Sequence, residues 1–215
     1  MNSSLAVRIP SGHVMTHGLL GIPPQSMGLV LFAHGSGSSR HSPRNNFVAR
    51  VLREAGFATL LMDLLTEEEE ALSESRFDIR LLTERLVNAA NWAKKSEETA
   101  NKPMGFFGAS TGAAAALEAS ALLGSEIFAV VSRGGRPDLA SFSALTRVTA
   151  PTLLLVGELD REVIDLNRRA FGSLRCEKKL VIVPGATHLF SEPGTLEEVA
   201  RLASVWFVSH LPPNG

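Results

Sequence analysis

Pro103-Met104-Gly105-Phe106-Phe107-Gly108-Ala109-Ser110-Thr111-Gly112-Ala113 carries an apolar run through Gly-x-Ser-x-Gly and straight into an alanine-rich helical stretch. A buried strand that turns through a serine into a helix must bend within two or three residues, so the positions around the serine have to be nearly free of side chains. Gly108 and Gly112 meet that need, and Ala109, Ala113 and Ala114 keep the surroundings small. The strain of such a turn aims the Ser110 hydroxyl outward. The helix behind it brings a positive partial charge and a free N–H at Thr111, which can take the oxyanion of a tetrahedral intermediate. The segment reads as a nucleophile at the carboxyl end of a strand.

On both sides of this turn, apolar runs alternate with helical stretches. Leu29–Ala33, Ala58–Leu61, Met104–Phe107, Ile127–Val131, Thr152–Val156 and Leu180–Val183 are near-continuously apolar, as strands of a parallel sheet must be when helices cover both faces. Leu5–Ile9 and Val14–Ile22, parted by Ser11-Gly12 and closed by Pro23-Pro24, read as an antiparallel opening to the sheet. Helical periodicity marks Phe47–Ala55, Phe77–Ala93, Ala113–Leu123 and Val163–Phe171. It also marks a C-terminal stripe of Leu196, Val199, Ala200, Ala203, Trp206 and Phe207, which Thr195 or Ser191 can cap. The acidic run Glu67–Glu70 reads as a solvated helix start favoured by the dipole. The expected architecture is α/β: a mostly parallel eight-stranded sheet with helices on both faces.

Two further strand ends carry the groups a serine needs. Thr152–Val156 runs through Gly157-Glu158-Leu159 to Asp160, and Leu180–Val183 runs through Pro184-Gly185-Ala186-Thr187 to His188. Ligands of open α/β sheets sit at the carboxyl ends of strands, which is where both residues fall. A serine hydroxyl is a poor nucleophile until an imidazole takes its proton, and a carboxylate holds that imidazole in the useful tautomer. Ser110, His188 and Asp160 are the candidates for these roles, with Glu158 and Asp165 as nearby substitutes for Asp160.

The loop His34-Gly35-Ser36-Gly37-Ser38-Ser39-Arg40 follows the first long apolar strand, and the ring or backbone of His34 is expected to brace it. Gly35-x-Gly37 ahead of Asp63 also fits the start of a dinucleotide-binding βαβ unit. Arg40 argues against that reading, because it stands where the third glycine is needed for close helix–strand packing.

Taken together, His34-Gly35, Gly108-Ala109-Ser110-Thr111-Gly112, Gly157-Glu158-Leu159-Asp160 and His188 resemble the signatures of the α/β-hydrolase superfamily, over roughly residues 5–211. The order Ser, Asp, His is the one those enzymes use. Only fifty positions separate Ser110 from Asp160, too few for a substantial lid, so the chain looks most like the small dienelactone-hydrolase-related group. The segment from His34 to Asn45 is similar to a hydrolase type that sometimes adjoins phosphoribosyltransferases. The resemblance implies hydrolysis of an ester, thioester or lactone, with the second oxyanion N–H supplied by the early loop. Ser36 is assigned that role, with Gly35 and Gly37 as alternatives. Dienelactone hydrolases proper carry cysteine at the nucleophile position, whereas this chain has Ser110, and its one cysteine, Cys176, lies in a helix-to-strand connection. The competing readings are a non-catalytic small-ligand-binding protein on the same fold and an acyltransferase.

Composition narrows the partners. The 215 residues fit one domain with a sizeable core, and 45% hydrophobic and 20% charged residues are ordinary for a globular protein. Twenty-one basic against twenty-two acidic residues leave a net charge of −1, which gives no broad field for nucleic acid or an anionic membrane. A lone cysteine, no signal-like start at Met1–Pro10 and no apolar run of about 20 residues point to the cytoplasm. His13 and His17 lack a carboxylate motif nearby, and neither metal nor cofactor is expected. Arg40, Arg133 and Arg136 fall at strand ends, where they can bind a substrate carboxylate or phosphate or else form ion pairs with Asp63 or Asp138.

Overall fold

The computed structural model describes residues 4–213. Its strands are β1 (Leu5–Ser11), β2 (Val14–Gly21), β3 (Gly28–Ala33), β4 (Phe57–Met62), β5 (Met104–Ala109), β6 (Ile127–Arg133), β7 (Thr152–Gly157) and β8 (Lys178–Val183). Its helices are α1 (Pro43–Glu54), α2 (Glu67–Glu70), α3 (Ser73–Phe77), α4 (Ile79–Ala93), α5 (Thr111–Leu123), α6 (Phe142–Arg147), α7 (Arg161–Ser173) and α8 (Thr195–His210). All eight strands form one sheet in the order β1-β2-β4-β3-β5-β6-β7-β8. Only β2 runs against the rest: it pairs antiparallel with β1 and with β4, and every other pair is parallel. This is an α/β-hydrolase fold without a lid.

The sheet separates two apolar layers. On one face α1 and α8 cover Val30, Phe32, Phe107 and Val131, with Phe57, Phe128 and Phe207 meeting at centroid distances of 5.8–6.2 Å. On the other, α4, α5 and their neighbours cover Leu31, Leu60, Phe106 and Val130. The central strands β3, β4 and β5 are buried at every position, which accounts for their unbroken apolar sequence. Helix α5 is buried almost all round, and its alanines let it lie close under β5 and against α4.

Several features differ from the sequence expectation. The helix expected over Phe77–Ala93 begins at Ile79, where the Asp78 carboxylate accepts the Leu81 N–H, and Phe77 instead ends α3. Helix α1 begins earlier than Phe47, capped by Ser42 with Pro43 at its first position. Neither Thr195 nor Ser191 caps α8; Gly194, at φ 82°, takes that place. Helix α6, capped by Ser141, was not expected. The acidic run is also more than a solvated helix start. Thr66 and Glu69 form a capping box, Glu69 pairs at 2.6 Å with the buried Arg85, and Glu70 accepts the Gly37 N–H. No helix among the described residues is long and apolar enough to cross a membrane.

Candidate active site

Ser110 stands between β5 and α5 at φ 51° and ψ −124°, a conformation L residues rarely adopt and one that marks a strained, functional turn. The main chain alone enforces the turn. A Cβ on Gly112 would lie 2.2 Å from the Ala33 carbonyl oxygen, and one on Gly108 would lie 2.5 Å from Ala113 Cα. The Ser110 N–H donates to Arg133 O at 3.4 Å, and its carbonyl accepts the Arg136 N–H at 3.0 Å. The Thr111 N–H at the head of α5 has no acceptor among the described residues.

Asp160 and His188 meet because the loops after β7 and β8 are stitched together. Gly157 passes so close under the second loop that a Cβ there would be 2.3 Å from Ala186 O. The Glu158 N–H donates to Val183 O and the Leu159 N–H to Ala186 O. Phe190 roots the same loop in the core at 1% exposure, and Glu192 holds both the N–H and the hydroxyl of Thr187. Sequence reasoning missed both anchors. His188 Nδ1–H consequently donates to Asp160 Oδ2 at 2.6 Å. Asp160 precedes α7 but makes no side-chain cap there, so its carboxylate is committed to the imidazole. The possible substitutes are engaged elsewhere, Glu158 with the Gly185 N–H and Asp165 with Arg168. His188 packs against Gly134, the residue after β6, next to the strand end that carries Ser110. No hydrogen bond joins its imidazole to Ser110 Oγ among the described residues, an arrangement common where substrate tightens the contact.

The early loop is held by side chains. His34 Nδ1–H donates to Gly35 O at 2.9 Å while Nε2 accepts the Leu64 N–H at 3.0 Å. Burial holds this imidazole below its usual pKa, in keeping with a neutral ring that donates on one side and accepts on the other. Gly35 lies against Ser110, where an added Cβ would be 2.7 Å from the serine Cβ. The Ser36 N–H, expected to face an oxyanion, instead donates to Thr111 Oγ1 at 3.1 Å. The Gly37 N–H is taken by Glu70. A shallow hollow beside Ser36 and Thr111 is lined by Leu65, Glu70, Arg76 and Leu82.

The three strand-end arginines separate into two kinds. Arg40, a candidate substrate ligand by sequence, is paired through both its N–H and its guanidinium with Asp63; this also occupies the acid that a dinucleotide ribose would need. Arg136 is bidentate to Asp138 at 2.8 Å on both arms, which raises its pKa further. Their charges are matched within the protein by Asp63 and Asp138. Arg133 has no such partner among the described residues.

No family model matches the chain. Among curated proteins it is 56% identical over 205 residues to a Mycobacterium tuberculosis protein called "Putative phosphoribosyl transferase", and the match covers 95% of this chain and 46% of that one. The chain thus spans about half the length of the curated relatives it matches. Among solved structures it superposes on a dienelactone hydrolase from Anabaena variabilis with TM-score 0.94 and 53% identity, covering 98% of this chain and 99% of that one. An α/β serine hydrolase without a lid from Xanthomonas campestris gives TM-score 0.79 at 20% identity, over 99% of this chain and 97% of that one.

Proposed function

The chain belongs to the dienelactone-hydrolase-like α/β-hydrolases, and on that premise we propose that it is a serine hydrolase cleaving small ester, thioester or lactone substrates. The observation that carries this reading is the 2.6 Å contact of His188 with Asp160 at the rim of the sheet where Ser110 is held at positive φ. Ser110 Oγ attacks the acyl carbon as His188 Nε2 takes its proton, and Asp160 stabilises the imidazolium that forms. The oxyanion of the tetrahedral intermediate accepts the Thr111 N–H. The Ser36 N–H joins it by exchanging Thr111 Oγ1 for that oxygen; such donors are worth roughly a hundred- to a thousand-fold each. Collapse of the intermediate breaks the bond to the leaving alkoxide or thiolate, which takes the proton from His188. Water then attacks the acyl-Ser110 ester with His188 again as base, releasing the acid and restoring the hydroxyl.

An acceptor alcohol or amine in place of water would make the same acyl-enzyme a transferase. The phosphoribosyl transferase label belongs to proteins about twice as long as the matched stretch, and we assign it to the half outside that stretch. The test is turnover of short-chain nitrophenyl esters by the protein and by Ser110→Ala. The variant is expected to lose on the order of 10⁴-fold or more in kcat. Equal turnover by the two would remove the nucleophile assignment, and turnover by neither would favour a binding protein on this fold.

A further inference from the structure

Arg133 closes β6 beside the candidate active site. Ala109 is its register partner, the Ser110 N–H donates to its carbonyl, and Gly134 after it packs on His188. Along β6, Ala129 and Val131 enter the layer under α1 and α8, and the alternation of a strand sends the Arg133 side chain to that same side. The residue is 8% exposed. Its Nε and Nη1 are buried with no hydrogen-bond partner. No carboxylate pairs with it and no aromatic ring stacks on it among the described residues, in contrast to Arg40, Arg85 and Arg136 with their acids. Burial pushes its pKa down to about 10, and the positive charge of Arg44 in α1 pushes the same way. Arg44 is half-buried and pairs with no carboxylate among the described residues, and its Nε is buried without a partner.

An unpaired guanidinium in an apolar layer costs several kcal/mol, because the hydration it gives up is not replaced. Arg133 is such a group, in register with Ala109 next to the nucleophile, and the half-buried Arg44 adds a second positive charge near it. We propose that Arg133, with Arg44 beside it, is the anion subsite of this enzyme, so that its ester substrate bears a carboxylate or a phosphate on the portion lying toward α1. The inference rests on the hydrolase reading for the word substrate, but the anion site itself does not depend on turnover. A carboxylate or phosphate would meet the open donors with charge-assisted bonds, for which the planar guanidinium fork is suited.

The experiment compares the nitrophenyl monoester of succinic acid, which keeps a free carboxylate, with nitrophenyl butyrate of matched length. It uses the intact protein, Arg133→Met and Arg133→Lys, and records melting temperatures with succinate or with inorganic phosphate added. The intact protein should prefer the anionic ester. Arg133→Met should lower that preference by roughly ten- to a hundred-fold, the range for hydrogen bonds to a charged group, with Arg133→Lys in between. Since methionine removes a buried unpaired charge, the Met variant should melt no lower than the parent. Stabilisation by succinate alone identifies a carboxylate, and stabilisation by phosphate alone a phosphate; either supports the subsite if Arg133→Met abolishes it. Turnover of butyrate with no anionic preference and no stabilisation by either anion would overturn the subsite and leave the hydrolase standing. Anion stabilisation lost in Arg133→Met, with neither ester cleaved, would keep the subsite and remove the hydrolase. A Met variant that melts lower with its preference unchanged would make Arg133 structural, and should it fail to fold, Arg133→Lys and the anion additions decide alone.

Discussion

The turn at 108–112 and the loop at 34–37 face each other across the candidate site, yet they are built in opposite ways. Main-chain contact enforces the turn: Gly112 has the Ala33 and His34 carbonyls within 2.5 Å of where a Cβ would sit, and Gly108 has the backbone of α5 as close. Side-chain hydrogen bonds hold the loop, namely the His34 ring between Gly35 and Leu64, Thr111 Oγ1 on the Ser36 N–H and Glu70 on the Gly37 N–H. A shape fixed by steric exclusion has no nearby alternative, whereas one fixed by a few hydrogen bonds can adjust as charge develops. The difference puts Ser110 and the Thr111 N–H on a rigid support and the Ser36 N–H on an adjustable one.

If that division is right, substitutions in the turn should damage stability and catalysis together, and substitutions at the loop's contacts should act mainly on catalysis. The largest effect is expected from Gly112→Ala. Its methyl would press on backbone that cannot yield, costing about 3 kcal/mol, or roughly 6–12 °C in melting temperature for a chain of this size. It should also cost on the order of a hundred-fold in kcat by displacing Ser110 from the loop. A Gly112→Ala protein that melts and turns over like the parent would show that the turn is not sterically fixed. Thr111→Val should be milder. Thr111 Oγ1 holds the Ser36 N–H near the oxyanion position before the exchange, so its loss, about 1 kcal/mol of positioning, should lower kcat about five-fold while the melting temperature stays within about 2 °C; a fall in melting temperature with kcat unchanged would assign that bond to folding.

The smallest effect concerns His34. Burial keeps its folded pKa below the ordinary 6.5, so the unfolded chain takes up a proton that the folded chain refuses. The stability this ring contributes is complete above pH 6.5 and is lost as pH falls below it. His34→Gln can keep one donor and one acceptor without titrating, and should flatten the decline of melting temperature as pH falls below 6.5. An identical decline in both proteins would place the titrating group elsewhere.

The same division explains what could be read from the sequence. Gly108-Ala109-Ser110-Thr111-Gly112 and the apolar strands announce themselves because the constraints on them are local: small residues where backbones touch, unbroken apolar runs where helices cover both faces. Asp160 and His188 were found through their places at strand ends. What brings them together, the Gly157 crossing with the Phe190 and Glu192 anchors, depends on contacts between two loops and left no local pattern. Glu69 and Glu70 looked like solvated acids because Arg85 and Gly37, their partners, are 16 and 33 residues away in the chain. Arg40, Arg133 and Arg136 were indistinguishable by type and position. Only the presence or absence of a facing aspartate separates the two ion-paired arginines from the buried unpaired one.

The central claim, that Ser110 is a nucleophile activated by the imidazole of His188, is tested most directly by allowing the protein to react with a fluorophosphonate and mapping the adduct by peptide mass. A single adduct on Ser110 is expected, absent from Ser110→Ala and formed far more slowly in His188→Ala. An adduct on another residue, or labelling of Ser110 at the parent's rate without His188, would contradict it.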